Sequence, residues 1–167
     1  MTLLLLLITI LLLALLAYRA LQRALRADPF KKRFQNLYPP SKTVTWLSRQ
    51  GRRPLLAHLY QPPDWHHTDK RPCIVLFFGG AWRVGSAWQF APFAARLCAL
   101  GAVVVLPEYR IKSRDRSTVE EAVVDGFTVI DKIRQSADCL GIDLARISVG
   151  GGSAGGHLAA WIATGRH

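Results

Sequence analysis

Apolar residues are distributed unevenly along the chain, and the pattern changes twice. From Leu3 to Ala17, fourteen of fifteen residues are apolar, Thr9 being the exception. With Thr2 and Tyr18 the stretch reaches about 17 residues, or roughly 25 Å of helix, the lower limit for crossing a bilayer. Arg19, Arg23 and Arg26 follow at helical spacing, and Asp28-Pro29 is expected to end that helix before Lys31-Lys32-Arg33. Beyond it the apolar positions break into short runs between polar, glycine- and proline-containing turns. Thr43 to Leu47 and Leu55 to Tyr60 flank Gln50-Gly51 and predict a β-hairpin. Cys73 to Phe78 is a continuous apolar run of strand length, predicting a strand buried on both faces and stopped by Gly79-Gly80.

From there strand-like and helix-like patterns alternate. Phe90 to Leu100 is helical in pattern and ends at Gly101, and Ala102 to Leu106 is a second buried strand closed by Pro107. Ser117-Thr118-Val119-Glu120 is a capping-box pattern, opening a helix whose Val119, Val123, Phe127, Ile130 and Ile133 recur at three or four residues. Ile147-Ser148-Val149 predicts a third buried strand, running into Gly150 to His157 and then a helix from Leu158. Such alternation from Cys73 onward predicts an α/β fold with a parallel sheet. The divisions expected are an apolar anchor with a basic collar at 1–27, a linker at 28–42 and the α/β domain at 43–167.

Charge sharpens the reading of the N-terminus. The chain carries 22 Lys and Arg against 11 Asp and Glu. Ten of the cations and one acid, Asp28, lie in residues 1–53, giving +9; residues 54–167 hold twelve cations and ten acids, giving +2. The excess sits beside the apolar segment, so a basic nucleic-acid-binding domain is not expected in the folded part. A cleaved signal peptide, an uncleaved anchor and a buried core helix compete for the first segment. A signal peptide normally has cations before its apolar stretch, whereas here they follow it, which favours an anchor with the bulk of the chain on the cytoplasmic side.

Three cysteines, Cys73, Cys98 and Cys139, lie in apolar surroundings without a C-x-x-C pair and read as buried free thiols. The adjacent histidines of Asp64-Trp65-His66-His67 lack a third nearby ligand and read as part of a turn. No metal or organic cofactor is expected.

The chemistry is expected at Gly151-Gly152-Ser153-Ala154-Gly155, a G-x-S-x-G between a predicted strand and a predicted helix. Small residues two before and two after the serine let strand and helix cross closely, while a strained turn holds the hydroxyl above the sheet edge. The helix start adds the Ala154 amide and the positive end of the helix dipole, both suited to an oxyanion. Two rivals remain at this point: a glycine-rich turn without chemistry, and a dinucleotide fingerprint, since Gly150 to Gly155 also satisfies G-x-G-x-x-G. That fingerprint usually opens the first βα unit of its sheet, whereas two buried strands precede this one. A phosphate-binding P-loop fails, because His157 stands where Lys-Ser/Thr is needed.

A second element, Phe78-Gly79-Gly80-Ala81-Trp82, ends the Cys73 strand with small residues that let backbone amides face a site. Together the two elements resemble the N-terminal half of an α/β-hydrolase of the hormone-sensitive-lipase and carbohydrate-esterase type, acetyl esterases and BD-FAE-like proteins included. Those proteins carry H-G-G-G or H-G-G-x-W after the third strand and G-x-S-A-G-G-H-x-A at the elbow. The likeness runs from about Pro72 to Ala163, with Glu108-Tyr109-Arg110 similar to the family's D-Y-R. It implies a serine ester hydrolase acting on a small ester substrate, with Ser153 as nucleophile and Gly80, Ala81 and Ala154 as oxyanion donors. Phe78 replaces the usual His and Ala81 the third Gly, so the hydrogen bonds that the His would use to brace the loop are expected to be lost. Trp82 is either a wall of the acyl or alcohol site or a core aromatic.

In this fold the triad runs Ser, then Asp or Glu, then His. No acid follows Ser153, and His157 lies one turn down the same helix. The fold is therefore expected to be truncated after the elbow helix, with the chain alone inactive and the edge of its last strand exposed. The alternative from a different class is a non-catalytic, membrane-tethered remnant or binding module.

Overall fold

The computed structural model describes Thr9 and residues 11–19, 28–48 and 52–165. One five-stranded sheet, in the order β1-β2-β4-β3-β5, organises them: β1 Lys42–Leu47, β2 Leu55–Tyr60, β3 Arg71–Phe77, β4 Val103–Pro107 and β5 Ile142–Gly151. The expected hairpin is present, β1 pairing antiparallel with β2. β2 also runs antiparallel to β4, whereas β3 pairs in parallel with both β4 and β5. The sheet is thus mixed, and the parallel reading holds from Cys73 onward, where helical crossovers join the strands.

Helices α1 Pro29–Phe34, α2 Ala91–Ala99, α3 Lys112–Asp115, α4 Val119–Gln135, α5 Ala137–Leu140 and α6 Ala154–Ala163 connect and flank these strands, with a 3-10 turn at Ala87–Phe90. β4 is buried at every position, and Val75, Phe77, Phe78, Leu55, Tyr109 and Leu158 are among the other most deeply buried side chains. α6 packs on β5 and β3 and is crossed by α4. Gly126 permits that crossing, because a Cβ there would lie 2.7 Å from Leu158 Cδ1.

Several expectations change. Asp28-Pro29, expected to end a helix, begins one, while the segment it is expected to end, residues 20–27, lies outside the described residues. The Asp28 carboxylate accepts from the Phe30 and Lys31 amides, and proline fits the first turn, where no amide partner is required. The expected linker at 28–42 therefore contains α1, whose Phe34 packs against the core. The capping box uses Thr118 and Glu121, one residue later than expected. The Thr118 hydroxyl accepts from the Glu121 amide while the Glu121 carboxylate accepts from the Thr118 amide. β3 buries Cys73, Val75 and Phe77 but leaves Ile74 and Leu76 half-exposed. β5, expected to be buried, pairs among the described residues with β3 alone, and Leu144 is 59% exposed. Cys73 and Cys98 are buried free thiols as expected, and burial pushes Cys73 up to about 12; Cys139 is exposed, on an outward position of α5.

Among the described residues no helix is long and apolar enough to cross a membrane. Residues 11–19 are helical, with Leu11 and Leu16 exposed by 72% and 60%. The rest of the expected anchor at 1–27 lies outside the described residues.

Candidate active site

The site forms where β3 and β5 end side by side. Their register places Leu76 opposite Gly150 and Phe77 opposite Gly151, so the loops that follow both strands leave from one edge. Ser153 follows β5 directly and precedes the first residue of α6. Its backbone stands at φ 51°, ψ −118°, a combination that a side chain adopts only under compensation from its surroundings. The Ser153 hydroxyl makes no capping bond to the helix it precedes and is exposed.

Backbone packing supplies the compensation. A Cβ on Gly155 would lie 2.0 Å from the Phe77 carbonyl oxygen, and one on Gly151 would lie 2.4 Å from the same atom. Gly152 donates its amide to Phe77 O at 3.3 Å, and Gly155 donates to Gly152 O at 2.9 Å, closing the turn. By contrast a Cβ on Gly150 would meet only the Leu76 Cδ2 atom, at 3.3 Å. The packing therefore requires the two glycines of G-x-S-x-G and not the first glycine of the rival dinucleotide pattern.

The second loop lies against the first. A Cβ on Gly79 would come within 2.7 Å of Gly152 O and 3.4 Å of Ser153 Cβ. After it Gly80, Ala81 and Trp82 all take positive φ, at 137°, 51° and 55°. The turn closes through the Arg83 and Val84 amides, both donating to Gly80 O, and is tied outward by Lys112 N–H to Trp82 O at 2.8 Å. Among the described residues no partner within the chain accepts from the amides of Gly80, Ala81 or Ala154, whereas their neighbours Gly79, Arg83 and Gly155 are all engaged.

Bracing of this loop comes from Gln89, which the sequence did not single out, and from Tyr109 of the D-Y-R-like run. Gln89, in the 3-10 turn, clips Gly79 from both sides: Gly79 N–H donates to Gln89 Oε1 at 3.0 Å and Gln89 Nε2 donates to Gly79 O at 3.1 Å. The buried Tyr109 hydroxyl donates to Phe78 O at 2.7 Å, and its ring stacks on Phe78 at 4.1 Å. Phe78 offers no side-chain hydrogen bond in place of the His, and an amide side chain and a phenol hold the backbone of this loop instead. Gln89 lies ten residues from its partner in a stretch without periodic signal, so local pattern gave no access to it. Arg110 in turn fixes the Tyr109 segment to α4, bonding Asp125 through Nε and Nη2 at 2.8 Å each and Glu121 at 2.7 Å.

His157 is exposed on α6, where its ring meets Trp82 edge-on at 5.4 Å and Trp161 at 5.2 Å. Trp82 is half-buried, with its indole nitrogen enclosed and unpaired among the described residues. It packs against the core on one side and meets His157 of Ser153's helix on the other. Among the described residues no three His, Cys, Asp or Glu side chains gather as a metal site would require.

Comparison with known proteins gives a consistent picture. The BD-FAE family model matches residues 58–167. An AB hydrolase superfamily protein of Schizosaccharomyces pombe is 37% identical over 105 residues, covering 62% of this chain and 30% of that protein. Esterase LipQ of Mycobacterium tuberculosis is 32% identical over 111 residues, covering 66% of this chain and 26% of its own length. Among solved structures, a thermophilic esterase of Thermogutta terrifontis with butyrate bound superposes with a TM-score of 0.71 at 38% identity, covering 74% of this chain and 44% of the esterase. The chain thus spans less than half the length of each of these relatives.

Proposed function

The chain belongs to the BD-FAE family of α/β-hydrolases, and from that premise we propose that it forms the nucleophile-bearing part of a serine carboxylic-ester hydrolase. The observation that carries the reading is Ser153 at φ 51° in a turn closed by Gly151 and Gly155, with Gly79 of the second loop against its Cβ. In the reaction the Ser153 Oγ attacks the carbonyl carbon of a small ester and its proton passes to a general base. The amides of Gly80, Ala81 and Ala154 stabilise the tetrahedral oxyanion, and the alcohol departs with a proton. Water then hydrolyses the acyl-serine to release the acid. Removing one such donor ordinarily costs about a hundredfold or more in turnover.

The general base is the part these residues do not supply. No Asp or Glu follows Ser153, and His157, one turn along Ser153's own helix, is engaged with the indoles of Trp82 in the β3 loop and Trp161. The 167-residue chain by itself is accordingly expected not to turn over esters. That same observation supports the alternative, a membrane-tethered binding module with a hydrolase shape. The apolar N-terminal segment and its basic collar support single-pass anchoring, with the folded part facing the cytoplasm.

A chimaera tests the catalytic reading: residues 28–165, which keep β1 and β2 whole, joined to the C-terminal portion of the Thermogutta terrifontis esterase at the end of α6. Hydrolysis of p-nitrophenyl butyrate that disappears in Ser153→Ala is the expected result. A folded chimaera whose activity is absent, or indifferent to Ser153, overturns it. Resistance of the 167-residue chain to carbonate extraction from membranes tests the anchor separately.

A further inference from the structure

Of the cations described in the α/β domain, Lys70, Arg71, Arg110, Arg114 and Arg146 each pair with a carboxylate of the fold. Others, Arg83, Arg96 and Lys132 among them, stand singly on the surface as those of α1 do. On α1, Lys31, Lys32 and Arg33 are all exposed, and among the described residues none of them has an acidic partner. The one acid nearby, Asp28, is occupied as the helix cap. Beside these charges Leu37 is 67% exposed and Phe30 is 37% exposed.

The helix is nevertheless fixed to the domain. Phe34 and Tyr38 pack inward on the core, Tyr38 O accepts from the Tyr60 hydroxyl at 2.9 Å, and α1 rests on the 3-10 turn that carries Gln89. A rigid element thus presents three unneutralised cations and two apolar side chains to the outside. The leucine-lined helix at 11–19, exposed in its own right, precedes it in the chain.

We propose that α1 is an interfacial element that docks the domain on an anionic phospholipid surface. Lys31, Lys32 and Arg33 engage the headgroup phosphates and carboxylates while Phe30 and Leu37 enter the boundary between headgroup and acyl chain. The mixture of apolar and basic groups selects this partner over a nucleic acid, which offers phosphates but no apolar layer. Each cation held near an anionic leaflet contributes about 1 kcal/mol, so removing three lowers partitioning by roughly a hundredfold. The placement rests on the proposed membrane tether, which brings α1 to the surface, although α1's own affinity is separable from it.

The experiment uses the full 167-residue chain with Leu37→Cys and Cys139→Ser, labelled at position 37 with an environment-sensitive fluorophore. It is mixed with vesicles of phosphatidylcholine, with or without phosphatidylserine. Expected is a blue shift and quenching by brominated lipid on the phosphatidylserine vesicles only. Both are reversed by high salt and abolished when Lys31, Lys32 and Arg33 are all replaced by Gln. If carbonate extraction has released the chain, so that the tether fails, co-sedimentation with phosphatidylserine vesicles still reads α1, and the triple variant is expected to bind about a hundredfold more weakly. A probe at position 37 that stays in water on anionic vesicles overturns the proposal, even if the chain is firmly anchored. Tighter binding to a single-stranded oligonucleotide than to the vesicles, through the same three cations, also overturns it.

Discussion

Replacing Gly155 with Ala puts one methyl group into the tightest backbone contact of the elbow. Its Cβ would sit 2.0 Å from Phe77 O, 2.5 Å from Phe77 C and 2.5 Å from Phe78 O. Carbon and oxygen come no closer than about 3.3 Å in ordinary weak contacts, so α6 must withdraw from the end of β3 by about 1 Å. All three obstructing atoms are backbone, so no rotamer change relieves them. Withdrawal loosens the Gly152 amide bond to Phe77 O, already 3.3 Å long, and the Leu158 packing over Gly126. The cost is expected at the upper end of core overpacking, about 3 kcal/mol. The same 1 Å shift carries Ser153 away from the proposed oxyanion donors Gly80 and Ala81 and is expected to slow the proposed reaction about a hundredfold. Urea denaturation followed by tryptophan fluorescence reads the first quantity in the chain itself. Fluorophosphonate labelling of the esterase chimaera reads the second. Gly150→Ala is the control, since its Cβ meets only a mobile leucine methyl, and it is expected to change stability by less than about 1 kcal/mol in either direction. Equal behaviour of the two variants would refute the packing argument, and a Gly150 variant that is the worse of the two would restore the dinucleotide pattern as the better description.

Gln89→Ala leaves the Gly79 amide and carbonyl without partners in a half-buried position and is expected to cost about 2 kcal/mol, with faster hydrogen exchange at Gly80 and Ala81 as the local readout. Ala81→Gly removes a left-handed strain of about 1–2 kcal/mol, offset in part by added unfolded-state freedom, so a net stabilisation of about 0.5–1 kcal/mol is expected in the same urea titration. His58 is 4% exposed, its Nδ1 paired to Thr43 Oγ1 and its Nε2 enclosed; burial first, then the nearby Lys31 and Arg53 charges, lower it to about 4. Because the folded chain resists protonation while the unfolded chain titrates near 6.5, the His58 contribution is full above that value. It falls as pH drops toward 4, by about 3 kcal/mol in all, so His58→Gln is expected to flatten this limb of the stability profile.

Much of this was legible because the physics was local. A strand buried in a parallel sheet must be apolar at successive positions, and β4 and most of β3 declared themselves that way. The 151/155 spacing was legible because only glycine tolerates a carbonyl at 2.0–2.4 Å, whatever the rest of the fold. Other features depended on choices that the local sequence leaves balanced. Asp-Pro ends one helix and caps the next with equal ease, so α1, six residues long and without apolar periodicity, has no local pattern that distinguishes it from a linker. Ser117 and Thr118 each have a glutamate three residues on, and the register was decided by the reciprocal bonds of Thr118 and Glu121, leaving the Ser117 hydroxyl buried and unpaired among the described residues. The first half of β5, Ile142 to Arg146, is polar and partly exposed, so no apolar run marked it. Gln89 and Tyr109 act on backbone atoms 10 and 31 residues away, and no periodicity encodes such a partner.

The strained residues also explain why the bracing is arranged as it is. Ser153, Ala81 and Trp82 are three of the four non-glycine residues at positive φ among those described, and all belong to the two loops that leave β3 and β5. Each such conformation costs about 1–3 kcal/mol, which local hydrogen bonding in a free loop would not hold. The restraint comes instead from atoms already fixed by the sheet. Phe77 O receives Gly152 and blocks Gly151 and Gly155, Phe78 O is held by Tyr109, and Gly79 is gripped by Gln89. Three consecutive residues at the end of one strand therefore set both loops, and β5, which among the described residues pairs with β3 alone, has no other lateral support. Separation of β5 from β3 would release the serine turn and the facing amides in a single step, so the geometry of the site and the pairing of these two strands stand or fall together.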